Sequence, residues 1–569
     1  MDAAGAGAGT VFAAFHQSVA RYGARPFLCV LPETAMRYGI EPREYSYAET
    51  AAQVETLRER YRQAGLLAGT RVGLMLENRP AMFLHWLALN ALGASVVPIH
   101  PDWRRGELGF LIGHAELAIA VVPPARAAEL AAAALEAGRE LIVTQEDLSG
   151  LRPLGARAAA AAAAAGGDLE RECALLYTSG TTGRPKGCVL SNEYFLYAGQ
   201  WYAGLGELCR LTPGSERLLT PLPMSHMNAL ACSSMAMLLT GGCVVPLDRF
   251  HPGSWWQAVR SSAATIVHYL GVMPAMLLGA PPGAHDREHR VRFGFGAGVS
   301  PRLHASFEQR FGFPLIEAWA MTETGTGAAI IANREPRKVG SACFGHPSAA
   351  VEVRILSGEG GPAAVGEPGE LLVRAAGARP RRGFFSEYLK DPQATAEAWA
   401  GGWFHTGDIV YADADGDLHF VDRRKNVIRR SGENVSAVEV EGVLLQHPAV
   451  AAVGVTAVPD PVRGEEVMAC IVAREAAVAR EAASARETAG SEHEVADGAR
   501  ASLARAIQRH CLEQLAYYKA PGYILFCERL PLTPTEKLQR SELKALAREG
   551  LEQRGCIDLR QSKRREDAR

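Results

Sequence analysis

Tyr177-Thr178-Ser179-Gly180-Thr181-Thr182-Gly183-Arg184-Pro185-Lys186-Gly187 is the stretch on which the reading of this chain turns. It follows a short apolar run, Cys173 to Tyr177, that reads as the end of a strand. Gly180, Gly183 and Gly187 free the backbone to curl so that N–H groups can converge on an anion. Thr178, Ser179, Thr181 and Thr182 add hydroxyl donors, and Lys186 adds a positive charge. By composition this is a phosphate cradle. It is not the Walker pattern, which places Gly directly before its lysine and Ser or Thr directly after it; here Pro185 and Gly187 flank Lys186. Composition alone also fits a flexible Gly/Ser/Thr loop, so the rest of the chain has to decide.

Outward from that loop, helical and strand patterns alternate. Tyr47–Gln63 and Arg79–Leu92 carry helical spacing, while 71–76, 94–99 and 117–122 are short apolar strands. The alternation resumes between Arg217 and Gly345, with strands at 244–245, 265–269 and 315–316, and implies parallel β-α-β units. From Ala350 to Arg374 the pattern becomes strand-turn-strand, a small antiparallel unit. Beyond a basic segment, 422–431, a helix capped at Ser436, strands at 450–458 and 466–472 and a helix at 501–515 outline a second, smaller α+β domain. The expected division is 1–424 for a large N-terminal α/β domain and 425–569 for the C-terminal one. Ala158–Ala165 reads as a surface connector, 474–498 as a solvated helix or disordered insertion, and the tail after Arg554 as frayed.

The chain has 569 residues, enough for two cores. Its 60 basic and 62 acidic residues leave a formal net charge of −2, so no global field draws it to nucleic acid or anionic lipid. No basic stripe with interleaved aromatics supports nucleic-acid binding. The eleven cysteines form no C-x-x-C pair, which fits free thiols. The start lacks a signal-peptide pattern, and the most apolar run, 81–99, is broken by His85, Asn90, Ser95 and Pro98, so a buried helix followed by a strand explains it better than a membrane span. The expectation is a cytoplasmic protein.

Further motifs follow in order: Phe295-Gly296-Ala297-Gly298-Val299-Ser300-Pro301, Glu317-Ala318-Trp319-Ala320-Met321-Thr322-Glu323-Thr324-Gly325, Trp403-Phe404-His405-Thr406-Gly407-Asp408, Asp422-Arg423-Arg424-Lys425, Ser431-Gly432-Glu433-Asn434-Val435-Ser436 and Thr533-Pro534-Thr535-Glu536-Lys537. Each has a plainer reading alone: Trp319 as core packing, Asp408 as a turn residue, Lys537 as a surface lysine. Their joint order, with the phosphate-loop string, closely resembles the adenylate-forming superfamily over about Tyr45 to Arg540. The loops at 430–436 and 533–537 look most like bacterial carnitine/crotonobetaine-CoA ligases and related acyl-CoA synthetases. Such enzymes convert a carboxylate and ATP to an acyl-adenylate, then pass the acyl group to a thiol.

The resemblance implies a site. Thr178, Ser179, Gly180, Thr181, Thr182, Gly183 and Lys186 hold phosphates. Gly296, Ala297, Gly298, Glu317, Ala318 and Trp319 frame adenine, with Trp319-Ala320 standing where Tyr-Gly is usual. Thr322 touches the α-phosphate, Glu323 ligates Mg²⁺, and Asp408 and Arg423 take the ribose. Lys425 is the hinge, Gly432 and Glu433 line the coenzyme A tunnel, and Lys537 bridges carboxylate and α-phosphate, with Glu536 in place of a common Gly. His226, in Pro221-Leu222-Pro223-Met224-Ser225-His226-Met227-Asn228, occupies the gate beside the substrate carboxylate. His226, Met227, Tyr269 and Gly271 are expected to wall the acyl pocket. ATP, Mg²⁺ and coenzyme A are the implied cofactors. A carrier-protein pantetheine as acceptor, a luciferase-like oxidation and a non-catalytic nucleotide-binding relative are the alternatives, and a homodimer is allowed.

Overall fold

The computed structural model describes residues 7–154, 167–178, 185–358, 360–423, 427–474, 492–531, 538 and 540–563. The chain divides into two compact units. One holds Met1–Pro101, Leu111–Tyr177 and Gly187–Arg424; the other holds Asp102–Phe110, Thr178–Lys186 and Lys425–Arg569.

In the first unit two large sheets carry the parallel strands that the alternation predicts. One sheet runs, in spatial order, through Ile330–Ile331, Leu315–Trp319, Phe293–Ala297, Ile266–Leu270, Arg217–Thr220, Cys243–Pro246, Pro26–Val30 and Arg43–Ser46. Its inner pairings are parallel and both edge strands are antiparallel. The other runs through Glu387–Tyr388, Lys186–Ser191, Glu172–Thr178, Ser95–Pro98, Arg71–Leu74, Ile119–Val121 and Ile142–Thr144. Strands such as Ser95–Pro98 and Ile119–Val121 are buried along their whole length, as sheets covered on both faces require.

Local chemistry sets the helices. At Tyr47–Gln63 the Ser46 side chain accepts from Glu49 N, and Glu49 reaches back to Ser46 N, closing a capping box. Pro80 opens Pro80–Ala91, where a missing N–H costs nothing, and that helix is buried on nearly every face. The apolar run 81–99 is thus a core helix and strand. Among the described residues no helix is long and apolar enough to cross a membrane. All eleven cysteines are free thiols.

A third, antiparallel sheet of Cys343–Gly345, Leu418–Arg423, Phe404–Ala412, Gly369–Ala375 and Val351–Leu356 completes this unit. It contains the small β unit expected from 350–374, and its Phe404–Ala412 strand carries Asp408.

In the second unit Gly464–Ala473 is the central strand. It pairs with Val450–Asp460, Val427–Arg430 and Tyr523–Phe526, and helices Ala437–Leu444, Glu492–Gln514 and Arg540–Glu552 accompany the sheet. The expected α+β architecture is present. As far as Lys563, the tail corrects the sequence reading: it is docked, not frayed. Ile557–Asp558 pairs with Tyr523–Phe526, Leu559 is buried, and Lys563 reaches Glu466 Oε1 at 2.6 Å. Charge on Arg560 and Lys563 suggested solvent, but Arg560 pairs with Asp460 and Asp558, and Lys563 has a buried counter-ion. Ala158–Ala165 and most of the 474–498 segment lie outside the described residues, and its end already belongs to helix Glu492–Gln514.

Candidate active site

The site is framed by the turns that leave the C-terminal ends of parallel strands. At the end of Phe293–Ala297, Gly298 takes φ +78° and its N–H donates to Glu317 Oε2 at 2.9 Å, while Val299 N–H donates to Glu317 Oε1 at 3.1 Å. Tyr269 Oη donates to the same carboxylate at 2.6 Å. Burial raises the Glu317 carboxyl above its usual range, and these three donors pull it back. Expected to frame adenine, Glu317 spends its carboxylate bracing the Gly296–Val299 turn. Gly271 and Gly296 are required by chain approach: a Cβ on Gly271 would collide with the Gly298 carbonyl, and one on Gly296 with the Tyr269 carbonyl.

After Leu315–Trp319 the chain enters the tight turn at Met321–Gly325. Thr324 Oγ1 accepts from Met321 N at 2.9 Å, Gly325 N donates to Met321 O, and Tyr194 Oη donates to Thr322 O at 2.9 Å. Thr322 is partly exposed. Glu323 is 7% exposed, its carbonyl accepts from Phe385 N, and its Oε1 accepts from Tyr388 Oη at 3.0 Å. Tyr388 sits on the edge strand opposite Cys188, on the strand that follows the phosphate loop. Nothing in the motif reading singled out Tyr388. The link spans 65 residues and lies in no family string.

Asp408, 1% exposed, lies in register with Arg423 on the neighbouring strand. Its N–H donates to Thr406 Oγ1, and its Oδ2 accepts from Trp319 Nε1 at 2.9 Å. Trp319, expected to frame adenine, and Asp408, expected to take the ribose, are therefore in direct contact.

On the acyl side, His226 closes a turn onto Pro223 O and leads into a π-helix, Asn228–Ser233. Met227 packs against the main core. Tyr269 does not join them: it belongs to the cluster with Met273, Val299 and Phe307, because alternate residues of a strand face opposite sides of a sheet. His268, one residue earlier, takes the near side. Its ring stacks on Tyr202 and Phe295, Nε2 is 2.9 Å from Tyr202 Oη, and Nδ1 is 2.8 Å from Asn228 Oδ1 and 2.9 Å from Ser233 Oγ. With the Asn228 carboxamide in this orientation its Oδ1 accepts from Nδ1–H, and Nε2 accepts from tyrosine. Burial pushes the imidazole down to about 3, so it is neutral. With Oδ1 committed, the Asn228 amide N–H pair has no partner among the described residues.

In the second unit Ser431 (φ +51°) and Gly432 (φ +90°) form the two-residue turn joining Val427–Arg430 to Glu433–Ser436. Two positive φ values in succession are those of a type I′ hairpin, so Gly432 is demanded by the turn itself. Arg430, 1% exposed, directly precedes it and bonds Glu466 at 2.8 Å. Ser179, Gly180, Thr181, Thr182, Gly183, Lys425 and Lys537 lie outside the described residues, and Arg423 is placed by backbone register alone. Thr178 ends one strand and Lys186 opens the next. Three residues beyond Lys537, Arg540 is anchored by both nitrogens to Glu441 at 2.6 and 2.9 Å. Asp413, Asp415 and Asp417 form a carboxylate group elsewhere, but Lys338 Nζ lies 2.6, 2.7 and 2.9 Å from them and supplies the cation.

Comparison with known proteins gives the family of the chain. The family model for AMP-binding enzymes matches residues 15–381, and that for the AMP-binding enzyme C-terminal domain matches 439–537. The chain is 32% identical over 502 residues to a sulfoacetate–CoA ligase of Cupriavidus necator, covering 88% of this chain and 92% of that one. It is 29% identical over 512 residues to a crotonobetaine/carnitine–CoA ligase of Escherichia coli, with 88% and 93% covered. Among solved structures, a malonyl-CoA ligase complex with methylmalonyl-CoA and AMP superposes with a TM-score of 0.69 at 26% identity, over 89% of this chain and 96% of the other. The o-succinylbenzoate CoA synthetase of Bacillus subtilis shares the fold, with a TM-score of 0.75 at 23% identity over 93% and 98%. The chain belongs to the AMP-binding enzyme family, in the acyl-CoA synthetase branch of the adenylate-forming superfamily. Within that branch it is an AMP-forming acid–CoA ligase.

Proposed function

We propose that this chain activates a small carboxylic acid whose far end carries a hydrogen-bond acceptor, and transfers it to coenzyme A. The substrate carboxylate oxygen attacks the α-phosphorus of ATP and pyrophosphate leaves; the coenzyme A thiolate then attacks the acyl carbon and AMP leaves. Lys186 and the 178–183 loop hold the departing phosphates. Thr322 and Lys537 stabilise charge at the α-phosphate, which grows only in the transition state. His226 gates the carboxylate, Asp408 and Arg423 hold the ribose, and the hinge at Lys425 exchanges Lys537 for Gly432 and Glu433 between the two half-reactions.

Glu323 fits Mg²⁺: an oxygen donor, buried, held from one side by Tyr388. Bound there, the ion would offset charge on the phosphates. The acyl reading rests on one observation: the Asn228 carboxamide, immobilised through Oδ1 by His268, presents unused N–H donors two residues beyond the gate. Two similar curated ligases are named for sulfoacetate, whose sulfonate is such an acceptor, and for crotonobetaine/carnitine, whose trimethylammonium end is not; together they support a short, polar-ended acid, and the first alone supports the acceptor.

Pyrophosphate exchange with matched pairs, such as malonate against butyrate and sulfoacetate against propionate, tests this, with the thioester followed by mass spectrometry. Preference for the acceptor-bearing member, reduced in Asn228→Ala, is expected. Equal or reversed preference overturns the substrate class. Exchange without a coenzyme A thioester would move the acceptor to a carrier protein. Lys537→Ala is expected to lose adenylation yet form thioester from supplied acyl-adenylate.

A further inference from the structure

Two residues past His226, the side chain of Asn228 is held by a buried cluster that uses each of its protons once. His268, on strand Ile266–Leu270, has no exposed surface, and its ring stacks on Tyr202 and Phe295 with centroids 5.8 and 4.9 Å away. Tyr202 and Ser233 are equally buried. Tyr202 Oη lies 2.9 Å from His268 Nε2, while Asn228 Oδ1 and Ser233 Oγ lie 2.8 and 2.9 Å from Nδ1. Ser233 Oγ also lies 3.0 Å from the Asn228 carbonyl oxygen. One arrangement of protons makes all four contacts hydrogen bonds. The Asn228 carbonyl only accepts, so the Ser233 hydroxyl proton points to it, and Ser233 Oγ accepts in turn from Nδ1–H. With Nδ1 protonated, the Asn228 atom facing it is the acceptor, Oδ1, and Nε2 accepts from Tyr202. A reversed carboxamide would set N–H against N–H at a site that water does not reach. Asn228 itself is partly exposed, so the clamp is buried while the group it holds is open to a ligand.

We infer that His268 is a positioning residue for acyl specificity: its Nδ1–H fixes the polarity that Asn228 shows to the bound acid, donor rather than acceptor. This role rests on the reading of Asn228 as a ligand of the acid's far end, and it moves the choice of polarity away from the residue that touches the substrate. An asparagine held by nothing turns about its Cβ–Cγ bond and offers either its N–H pair or its oxygen. Such a residue accommodates acceptor-ended and donor-ended acids alike. Clamped through Oδ1, it serves only an acceptor. Tyr202 contributes at one further remove, because its hydroxyl proton on Nε2 selects the imidazole tautomer that does the clamping.

The test is pyrophosphate exchange by the full chain with malonate and with butyrate, read as the ratio of the two kcat/KM values. It compares wild type, Asn228→Ala, His268→Phe and the Asn228→Ala/His268→Phe double variant. Phenylalanine keeps a ring to stack on Tyr202 and Phe295 and removes Nδ1–H. A hydrogen bond to a charged acceptor is worth about 10- to 100-fold, so wild type should favour malonate by that order and Asn228→Ala should lose the preference. His268→Phe should lose most of the same preference. The double variant should show a ratio within about 2-fold of Asn228→Ala alone, because both deletions act on one interaction and do not add. A His268→Phe enzyme that is slower on both acids alike and keeps the wild-type ratio overturns the positioning role while leaving Asn228 as the acyl ligand. A wild type without preference, or a preference kept in Asn228→Ala, overturns both. His268→Phe leaves the buried Tyr202 hydroxyl without its acceptor; should that prevent folding, Tyr202→Phe/His268→Phe removes the orphaned group and its ratio is read in the same way.

Discussion

Tyr388 donates its hydroxyl to Glu323 Oε1 across 3.0 Å, joining the edge strand beside Cys188 to the turn at Met321–Gly325. Burial and the Glu323 charge both push the phenol well above its usual range, so it stays a donor at every working pH. The bond selects one orientation for the carboxylate proposed to hold Mg²⁺. Outer-shell partners of this kind are worth about 10-fold in metal affinity. Tyr388→Phe is therefore expected to raise the Mg²⁺ concentration for half-maximal pyrophosphate exchange by about 10-fold, with little loss at saturating metal. An unchanged Mg²⁺ curve would show that the tyrosine merely fills space.

Glu317 is loaded with three donors: Tyr269 Oη, Gly298 N–H and Val299 N–H. In Glu317→Gln the amide nitrogen must face at least one of them, leaving a buried donor unmet at about 1–3 kcal/mol. The expected outcome is a lower melting temperature together with a higher KM for ATP, since the braced turn is proposed as part of the nucleotide frame. A variant that lost stability with unchanged KM would place the brace outside the nucleotide site.

In the second unit two buried cations share one carboxylate, and a third, the half-exposed Arg463, lies 4.0 Å from it. Arg430 Nε lies 2.8 Å from Glu466 and Lys563 Nζ lies 2.6 Å from it, all three fully buried. Burial and the neighbouring Arg430 charge depress the Lys563 ammonium to about 7. Glu466→Gln strands both cations and should cost about 3–5 kcal/mol in urea unfolding. Lys563→Met removes one cation and relieves repulsion on the other, so it should cost much less. Equal losses would mean that packing of the tail, rather than charge, holds this cluster.

Two buried histidines set an acid limit. His268 is pushed down to about 3 and His85 to about 4, in both cases by burial. Each is neutral when folded and titrates near 6.5 when unfolded. Below about 6.5 the unfolded chain takes up protons that the folded chain does not, so stability present above that pH falls, by about 1.4 kcal/mol per pH unit per histidine, until the folded values are reached. Melting temperature should drop steadily from pH 7 to pH 4.5. In His268→Gln the slope should be shallower over the same window. An identical slope would locate the acid sensitivity elsewhere.

What the sequence by itself determined was order along the chain. Capping boxes, first-turn prolines and apolar periods are local, so helices such as Tyr47–Gln63 and the parallel strands were legible, as was the string of motifs that places the chain in its family. The two-domain pattern followed from where the periods change. Side-chain company was not legible, because it depends on which strands become neighbours. Trp319 meeting Asp408, 89 residues away, is one such case, as are Tyr388 meeting Glu323 and Lys563 entering the site of Glu466. Tyr269 illustrates the limit most directly. A strand turns alternate residues to opposite faces, and only the assembled sheet decides that His268 faces Phe295 and Asn228 while Tyr269 turns away to Glu317. Adjacent residues in the chain thus serve different sites, and the tertiary structure makes that assignment.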